Sequence, residues 1–171
     1  SGIRNTLIGH SAGGGASTQS GNTAVGHQAL LVATVGDNTA VGNNAFLQVS
    51  TGTLNTGIGS NVATALTTGM RNLAFGTVAM SNCTTGSNNI AIGTSTLLAA
   101  ATDGNSLVIG NSATGAGSNS TVLSLSYLQT TSGGLQALQI DSVTGEIRRS
   151  TSSMLYKNPL PDPPVAKFAR R

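Results

Sequence analysis

Charged side chains are scarce in this chain. They make up 8% of its 171 residues, whereas a typical soluble domain contains about 25%. Aromatic residues amount to only 3%, with no tryptophan. A single cysteine, Cys83, excludes an intrachain disulfide and a cysteine-based metal cluster. No apolar run approaches the roughly 20 residues of a transmembrane helix, and no signal peptide opens the chain, so we expect no direct membrane insertion by this segment.

The residue arrangements used by most enzymes are missing as well. The carboxylates lack the paired spacing of general acid–base catalysis and the Asp/Gly repeat of calcium sites. They are Asp37, Asp103, Asp141, Glu146 and Asp162. No serine lies in a nucleophile-elbow context with a histidine downstream. The sequence therefore predicts a protein that is not an enzyme and uses no cofactor.

A five-residue phrase, by contrast, returns seven times along the chain. Its copies are Asn5-Thr-Leu-Ile-Gly9, Asn22-Thr-Ala-Val-Gly26, Asn38-Thr-Ala-Val-Gly42, Asn55-Thr-Gly-Ile-Gly59, Asn72-Leu-Ala-Phe-Gly76, Asn89-Ile-Ala-Ile-Gly93 and Asn105-Ser-Leu-Val-Ile-Gly110, the last with one extra residue. Successive closing glycines are 17, 16, 17, 17, 17 and 17 residues apart. A fixed period this short is typical of a solenoid, in which each repeat is one coil stacked on its neighbours.

The repeat predicts strands rather than helices. A helical repeat needs more than about 30 residues, and the abundant Gly, Asn, Thr and Ser residues weaken helices. Numbering from each closing glycine as position 0, position −1 is always large and apolar, as in Ile58, and position −2 is mostly small, as in Ala74. Strand side chains alternate between two faces. We expect the −1 column to form the core, so that replacing Ile58 with Asp collapses the stack.

Each closing glycine is predicted to form a corner between two short strands. Position +1 is polar, position +3 is mostly small and position +4 is often bulky, which we interpret as a second strand. Glycine supplies the positive φ of a tight corner, and we expect the asparagine column to bond backbone amides and to stack as a ladder. The residues given these structural roles are Asn22, Gly26, Asn38, Gly42, Asn55, Gly59, Asn72, Gly76, Asn89 and Gly93.

The narrow coils indicate association with further copies of the chain. One coil of 17 residues encloses little core, and columns of small, uncharged residues make a poor solvent surface. Both difficulties disappear if several chains pack their coils together. We therefore expect an obligate homo-oligomer, with a homotrimer favoured.

Three parts are predicted along the chain. Residues 1–113 form a parallel β-roll or β-helix of about seven coils, each of 16–17 residues. Residues 114–149 form a neck or tip of β-strand and hairpin, and residues 150–171 form an extended, proline-rich basic tail. Six basic and three acidic residues lie in 114–171, but no nucleic-acid-binding motif accompanies them, so we expect no nucleic-acid partner.

Within the middle part, the predicted elements are short. The stretch 115–120 breaks the period and is interpreted as a linker. Thr121 to Leu128 alternates apolar and polar residues and is predicted to be a strand. Residues 135–140 and 146–149 are predicted to pair as a hairpin that turns at Gly145.

The phrase N-T-A-V-G-x-x-A-L, as at 22–30, resembles the head repeats of trimeric autotransporter adhesins and the repeats of phage and large-virus fibre proteins. The resemblance covers residues 3–113. It implies left-handed parallel β-rolls with three chains side by side. It also implies an extracellular location, on a cell surface or a virion fibre, and binding to host or prey cells or other surfaces.

A second resemblance lies further along. The stretch LQALQIDSVTGEIRRSTSSMLYK, at 135–157, is similar to the junction that precedes the endosialidase-type intramolecular chaperone domain of viral fibres. There a C-terminal domain drives trimer assembly and then cleaves itself off near a serine. Ser150, Ser152 and Ser153 lie where that serine falls. The sequence after 157 departs from the chaperone, so no catalytic residue is assigned.

These features predict a non-enzymatic fragment of a homotrimeric surface fibre or adhesin, with a cell-surface glycan or protein as receptor. Candidate receptor-binding residues are the ones unusual for this chain, namely Tyr127, Arg148, Arg149 and Tyr156. One alternative is a purely structural stalk or assembly segment next to a chaperone junction. Another is an ice-binding β-solenoid, because threonine repeats at position −3, although Leu73, Ile90 and Leu107 interrupt that column.

Two smaller patterns keep alternatives of their own. His10 and His27 fall in the +1 column one coil apart, about 5 Å by strand spacing, where they either share a metal or form part of an exposed polar ladder. The glycosylation sequons at 82–84 and 119–121 are also expected by chance in so Asn- and Thr-rich a chain.

Overall fold

The repeats form one parallel β-solenoid. The computed structural model describes residues 2–14, 19–124, 138–140 and 147–149, the last two ranges by their backbone. Eight three-residue strands make a single sheet in which each strand pairs with the next along the chain. They are β1 (Thr6–Ile8), β2 (Thr23–Val25), β3 (Thr39–Val41), β4 (Thr56–Ile58), β5 (Leu73–Phe75), β6 (Ile90–Ile92), β7 (Leu107–Ile109) and β8 (Thr121–Leu123). No helix occurs among the described residues, which confirms the predicted all-β parallel solenoid of about seven turns.

The register follows the repeat of the phrase. Thr23 of β2 pairs with Thr39 of β3, and Thr39 with Thr56 of β4, so equivalent residues stack in columns. The sheet then continues past residue 113, because β8 pairs in parallel with β7, with Thr121 opposite Leu107. The predicted strand at 121–128 is thus present over Thr121–Leu123, as a further rung of the solenoid sheet.

The seventh copy of the phrase contains no extra residue. Leu107 lies opposite Ile90 in the sheet, so Ser106 occupies the asparagine position. The backbone N–H of Ser106 donates to Oδ1 of Asn89 at 3.0 Å, as an asparagine there would. The preceding Asn105 lies at position −5, with φ of 56°. The copy carries a substitution rather than the predicted insertion.

The strand alternation is confirmed, but the side assigned to the core is reversed. The small residues of position −2 point inward, and Ala24, Ala40 and Ala74 are fully buried. Ile58, at position −1, points outward and is 37% exposed. The expectation that Ile58 belongs to the core was therefore wrong, as was the expectation that the small columns face solvent.

Inward space is occupied by larger side chains from the other sides of each coil. Leu30 and Phe46 at position +4, and Val49 and Leu66 at position +7, are completely buried. Opposite them only small residues fit. A Cβ added to Gly57 would lie 2.8 Å from Cε2 of the Phe46 ring, which explains why this coil has glycine where its neighbours have alanine.

The segment after each glycine is not the predicted second strand. Residues at positions +2 and +4 have left-handed backbones, as in Asn44 (φ 53°) and Phe46 (φ 50°), a conformation that strands do not adopt. The coils remain hydrogen-bonded there, but in alternating directions. Asn44 donates its N–H to His27 O of the preceding coil at 2.9 Å, and Phe46 donates to Val62 O of the following coil at 3.0 Å.

The predicted asparagine ladder is confirmed. Oδ1 of Asn38 accepts from the backbone N–H of Asn55 at 3.0 Å, and Asn55 Oδ1 accepts from the N–H of Asn72 at 3.0 Å. The side-chain amide of Asn55 also donates to Gly69 O of the following coil at 2.9 Å. The ladder runs from Asn5 to Ser106. It pairs buried polar groups along the whole stack.

A second compact unit covers 127–171, of which only two short strands are described. β9 (Leu138–Ile140) and β10 (Ile147–Arg149) pair antiparallel, with Ile140 opposite Ile147. The predicted turn at Gly145, the stretch from 125 to 128 and the tail 150–171 lie outside the described residues.

Candidate functional site

The solenoid presents one broad face of side chains to its surroundings. Because −2 points inward, positions −3 and −1 of all eight strands point outward, and we call these side chains the outward face. Position −3 contributes Thr6, Thr23, Thr39, Thr56, Leu73, Ile90, Leu107 and Thr121, and position −1 contributes Ile8, Val25, Val41, Ile58, Phe75, Ile92, Ile109 and Leu123. None of the sixteen is buried.

Apolar groups dominate the outward face. Phe75 is 51% exposed, and Ile8 is 59% exposed at the N-terminal end. With about 4.8 Å between neighbouring strands, the face extends roughly 34 Å from β1 to β8. The largest apolar patch on a soluble protein measures about 300–600 Å² and is often functional.

The composition of the outward face changes along the rod. Position −3 is threonine in the first four strands and leucine or isoleucine in the next three. The first four strands therefore place a threonine hydroxyl beside each apolar −1 side chain, whereas β5, β6 and β7 are apolar in both columns and β8 has a threonine again. The most hydrophobic part of the face is therefore the stretch from β5 to β7.

Charge is absent from the outward face. Arg4, Asp37 and Arg71 lie at position −5, ahead of the strands, and are exposed. Asp103 is 8% exposed; its Oδ2 accepts the Ala100 N–H at 2.6 Å and its Oδ1 accepts from Ser118 Oγ at 3.2 Å. That carboxylate fixes a turn and is not presented to a ligand.

A corner column of polar residues runs beside the outward face. Position +1 comprises His10, His27, Asn43, Ser60, Thr77, Thr94 and Asn111, of which all but Ser60 are exposed. The rings of His10 and His27 stack with centroids 5.4 Å apart and planes at 12°. This matches the spacing expected from the sequence. Among the described residues, no group of three or more His, Cys, Asp or Glu side chains is arranged to hold a metal ion.

The four residues predicted to bind a receptor follow the eight solenoid strands in the sequence. Tyr127 and Tyr156 fall outside the described residues, as do Ser150, Ser152 and Ser153. Arg148 and Arg149 are on β10, where the backbone of Arg148 is opposite Gln139. Their role stays a prediction. Sequence reasoning did not identify the outward face, although an inward small column implies that its large neighbours point outward.

The two sequons differ in their surroundings. Asn82 is engaged at both ends of its amide, since Nδ2 donates to Leu98 O at 2.7 Å and Oδ1 accepts the Leu98 N–H at 3.1 Å. Asn119 is exposed, and its Oδ1 accepts from Asn105 Nδ2 at 3.0 Å. Asn82 is therefore a structural residue of the coil.

Cys83 is predicted to be unreactive in the folded protein. Its side chain is fully buried, and burial, with a smaller contribution from Asp103, raises the pKa of the thiol from 9.0 to about 11 despite a hydrogen bond to Gly86 O. Because the thiolate is the reactive species, we expect negligible labelling by a disulfide reagent at pH 8 and complete labelling in denaturant. Rapid labelling without denaturant would contradict this burial.

The raised pKa of the Cys83 thiol also makes the stability of the fold depend on pH. The unfolded thiol ionises near 9.0 and the folded thiol near 11. Between pH 9 and pH 11 the thiol is therefore ionised in the unfolded state but still protonated in the folded state, which favours unfolding. The contribution of Cys83 to stability is complete below pH 9 and declines as pH rises towards 11.

Comparison with family models, curated proteins and solved structures finds no match to this chain. Within the described residues, no helix is long and apolar enough to cross a membrane.

Proposed function

We propose that this chain is a non-enzymatic segment of a homotrimeric extracellular fibre, on a cell or virion surface, that attaches to a glycan or protein receptor. The observation that carries the proposal is the outward face, which is uncharged, largely apolar and continuous over eight strands. The stack behind it is held in one register by the asparagine ladder. A stiff rod with one apolar side fits a fibre whose chains lie side by side.

The outward face alone is too small to form a stable interface. A three-residue strand is about 10 Å long, so the face measures on the order of 340 Å² in projection. A stable interface buries about 800 Å² per partner. A neighbouring chain must therefore contact further surface in addition to the face. Left-handed β-rolls around a three-fold axis, each meeting two neighbours, provide that coverage.

The oligomeric state is tested by light scattering on the chain with and without residues 150–171. We expect the mass of a trimer in both cases, because the proposed contacts lie in the coil stack. A stable monomer at micromolar concentration would contradict the proposal.

Replacing Ile58 with Asp is expected to dissociate the trimer while leaving each coil stack folded. Ile58 is outside the core, so a carboxylate there is solvated in the monomer but would be buried without a partner in the trimer. We expect association to weaken at least tenfold, measured by light scattering, with an unchanged circular dichroism spectrum. Thr77→Asp, at the exposed corner column, is the matched control and should remain trimeric. Loss of the β-sheet circular dichroism signal in Ile58→Asp would show that the coil stack unfolds, and that Ile58 belongs to the core after all.

The receptor site is tested separately. Alanine at Tyr127, Arg148, Arg149 and Tyr156 is expected to reduce binding to cells or to a glycan array without altering the trimer mass. Unchanged binding would remove the site from these residues. A trimer that binds no surface at all would instead support the stalk or assembly alternative.

Ice binding is the second candidate, because one observation favours it. Thr23, Thr39 and Thr56 stand in register on the outward face, one coil apart, each beside an apolar −1 side chain. A monomer with thermal hysteresis activity would support this function. A trimer without such activity would exclude it.

A further inference from the structure

We propose that His10 and His27 form a binding site for a divalent transition metal of the zinc class, which fastens the first coil to the second. The inference is independent of the fibre function. It rests on two exposed imidazoles whose rings are stacked with centroids 5.4 Å apart and planes at 12°. Imidazole nitrogen is a preferred ligand of Zn²⁺, Ni²⁺ and Cu²⁺.

The backbone holds the two histidines in adjacent positions. Gln28 donates its N–H to His10 O at 2.9 Å, and Gly26 donates to Ile8 O at 2.7 Å, so the two corners are fixed on either side of the pair. A metal bonds each imidazole nitrogen at about 2.0–2.1 Å, which places two coordinating nitrogens roughly 3.3 Å apart in a tetrahedral site. Stacked rings reach that separation by tilting towards each other. Both side chains are exposed and free to do so.

Neighbouring polar groups select the nitrogen that faces solvent. Nδ1 of His10 lies 3.1 Å from Ser11 Oγ, and Nδ1 of His27 lies 3.4 Å from Nδ2 of the Asn43 side-chain amide. The serine hydroxyl accepts a hydrogen bond from His10 Nδ1. Nδ2 of Asn43 can only donate, so His27 donates from Nδ1 once the Asn43 amide turns over and places its oxygen there. A histidine that donates from Nδ1 presents the Nε2 lone pair to a metal. Both rings then offer Nε2 on the same side of the rod, with water completing the coordination.

The location gives the site a structural role. All three residues of β1 are exposed, and Leu7 is 42% exposed although its equivalents in β2 to β7 are buried. The first described coil is thus less buried than the coils from the second to the seventh, and we expect it to open locally at lower free-energy cost than they do. A metal that bridges His10 and His27 binds only when the first two coils are stacked, and it therefore stabilises that stacking.

Zn²⁺ titration of the full chain by calorimetry is the first test. We expect one Zn²⁺ per chain, and at least tenfold weaker binding in His10→Asn and in His27→Asn. Asparagine occupies the same position in the third coil, at Asn43, so the substitution suits the column. Undiminished binding in either variant would overturn the proposal. One Zn²⁺ per two chains would also overturn it, because that ratio indicates a metal shared between copies.

A transplant distinguishes a chelating pair from a nonspecific effect of histidine. Thr77 and Thr94 occupy the same exposed column in adjacent coils. We expect Thr77→His with Thr94→His to restore Zn²⁺ binding in a chain that carries both His→Asn changes. Hydrogen exchange provides a second readout. Zn²⁺ should slow exchange of the Gly26 and Gln28 amides in the original chain, whereas equal rates with and without Zn²⁺ would contradict the proposed fastening of the first coil.

Discussion

Replacing Gly59 with alanine is expected to unfold the coil stack. A Cβ on Gly59 would lie 2.4 Å from the carbonyl oxygen of Gly76, and its φ is 142°. The oxygen belongs to the backbone of the next coil, so it moves only if the two coils separate. We expect the free energy of unfolding to fall by about 4 kcal/mol or more, which is exceptional for a single substitution. Chemical denaturation at fixed protein concentration measures it.

Gly117 provides the matched control. Its φ is also positive, at 114°, but a Cβ there would meet nothing within 4 Å. Gly117→Ala therefore retains the backbone strain and lacks the collision, and we expect a loss of only about 1–3 kcal/mol. Equal losses of stability in the two variants would show that the close approach of the next coil is not what requires glycine at position 0.

Replacing Asn55 with alanine is expected to have the next largest effect. Asn55 is 1% exposed. Its Oδ1 accepts from the backbone N–H and from the side-chain Nδ2 of Asn72, and its Nδ2 donates to Gly69 O. Alanine leaves the Asn72 N–H and Gly69 C=O buried without these partners. Each such group costs about 1–3 kcal/mol, so we expect a total loss of about 4 kcal/mol in the free energy of unfolding.

Two further variants calibrate this result. Asn111→Ala removes an exposed asparagine from the corner column and should change stability by less than about 0.5 kcal/mol. Asn55→Ser should cause an intermediate loss of stability. Serine already occupies the ladder position in the seventh coil, where Ser106 Oγ donates to Gly117 O at 2.9 Å. A loss below about 1 kcal/mol for Asn55→Ala would mean that water or a rearranged turn replaces the ladder.

The sequence predicted the period, the strand positions and the asparagine ladder, since each repeats with the same residue types. It did not reveal which strand face is inside, because alternation distinguishes two faces without orienting them. Size was a misleading guide in this case. The interior is already filled by side chains such as Phe46 and Leu66, so small residues point inward and Ile58 points outward.

The backbone after each glycine was beyond sequence reasoning for a different reason. Phe46 and Met80 have positive φ, although bulky residues rarely adopt it. Hydrogen bonds from the adjoining coils hold them there, such as Met80 N to Thr96 O at 2.7 Å. The conformation is imposed by tertiary contacts, and no local residue preference signals it. The candidate receptor residues, which lie beyond the repeats, had no pattern to orient them.

The asparagine ladder has a consequence for how such a molecule changes over generations. Asn38, Asn55 and Asn72 make equivalent bonds to the coils before and after them. A duplicated or deleted coil therefore meets the same bonding partners as the one it displaces, and the rod changes length by about 4.8 Å per coil. An insertion of one or two residues within the Asn-to-Gly phrase would interrupt the ladder instead. The gene can lengthen this rod by whole repeats, while the spacing inside each phrase stays fixed.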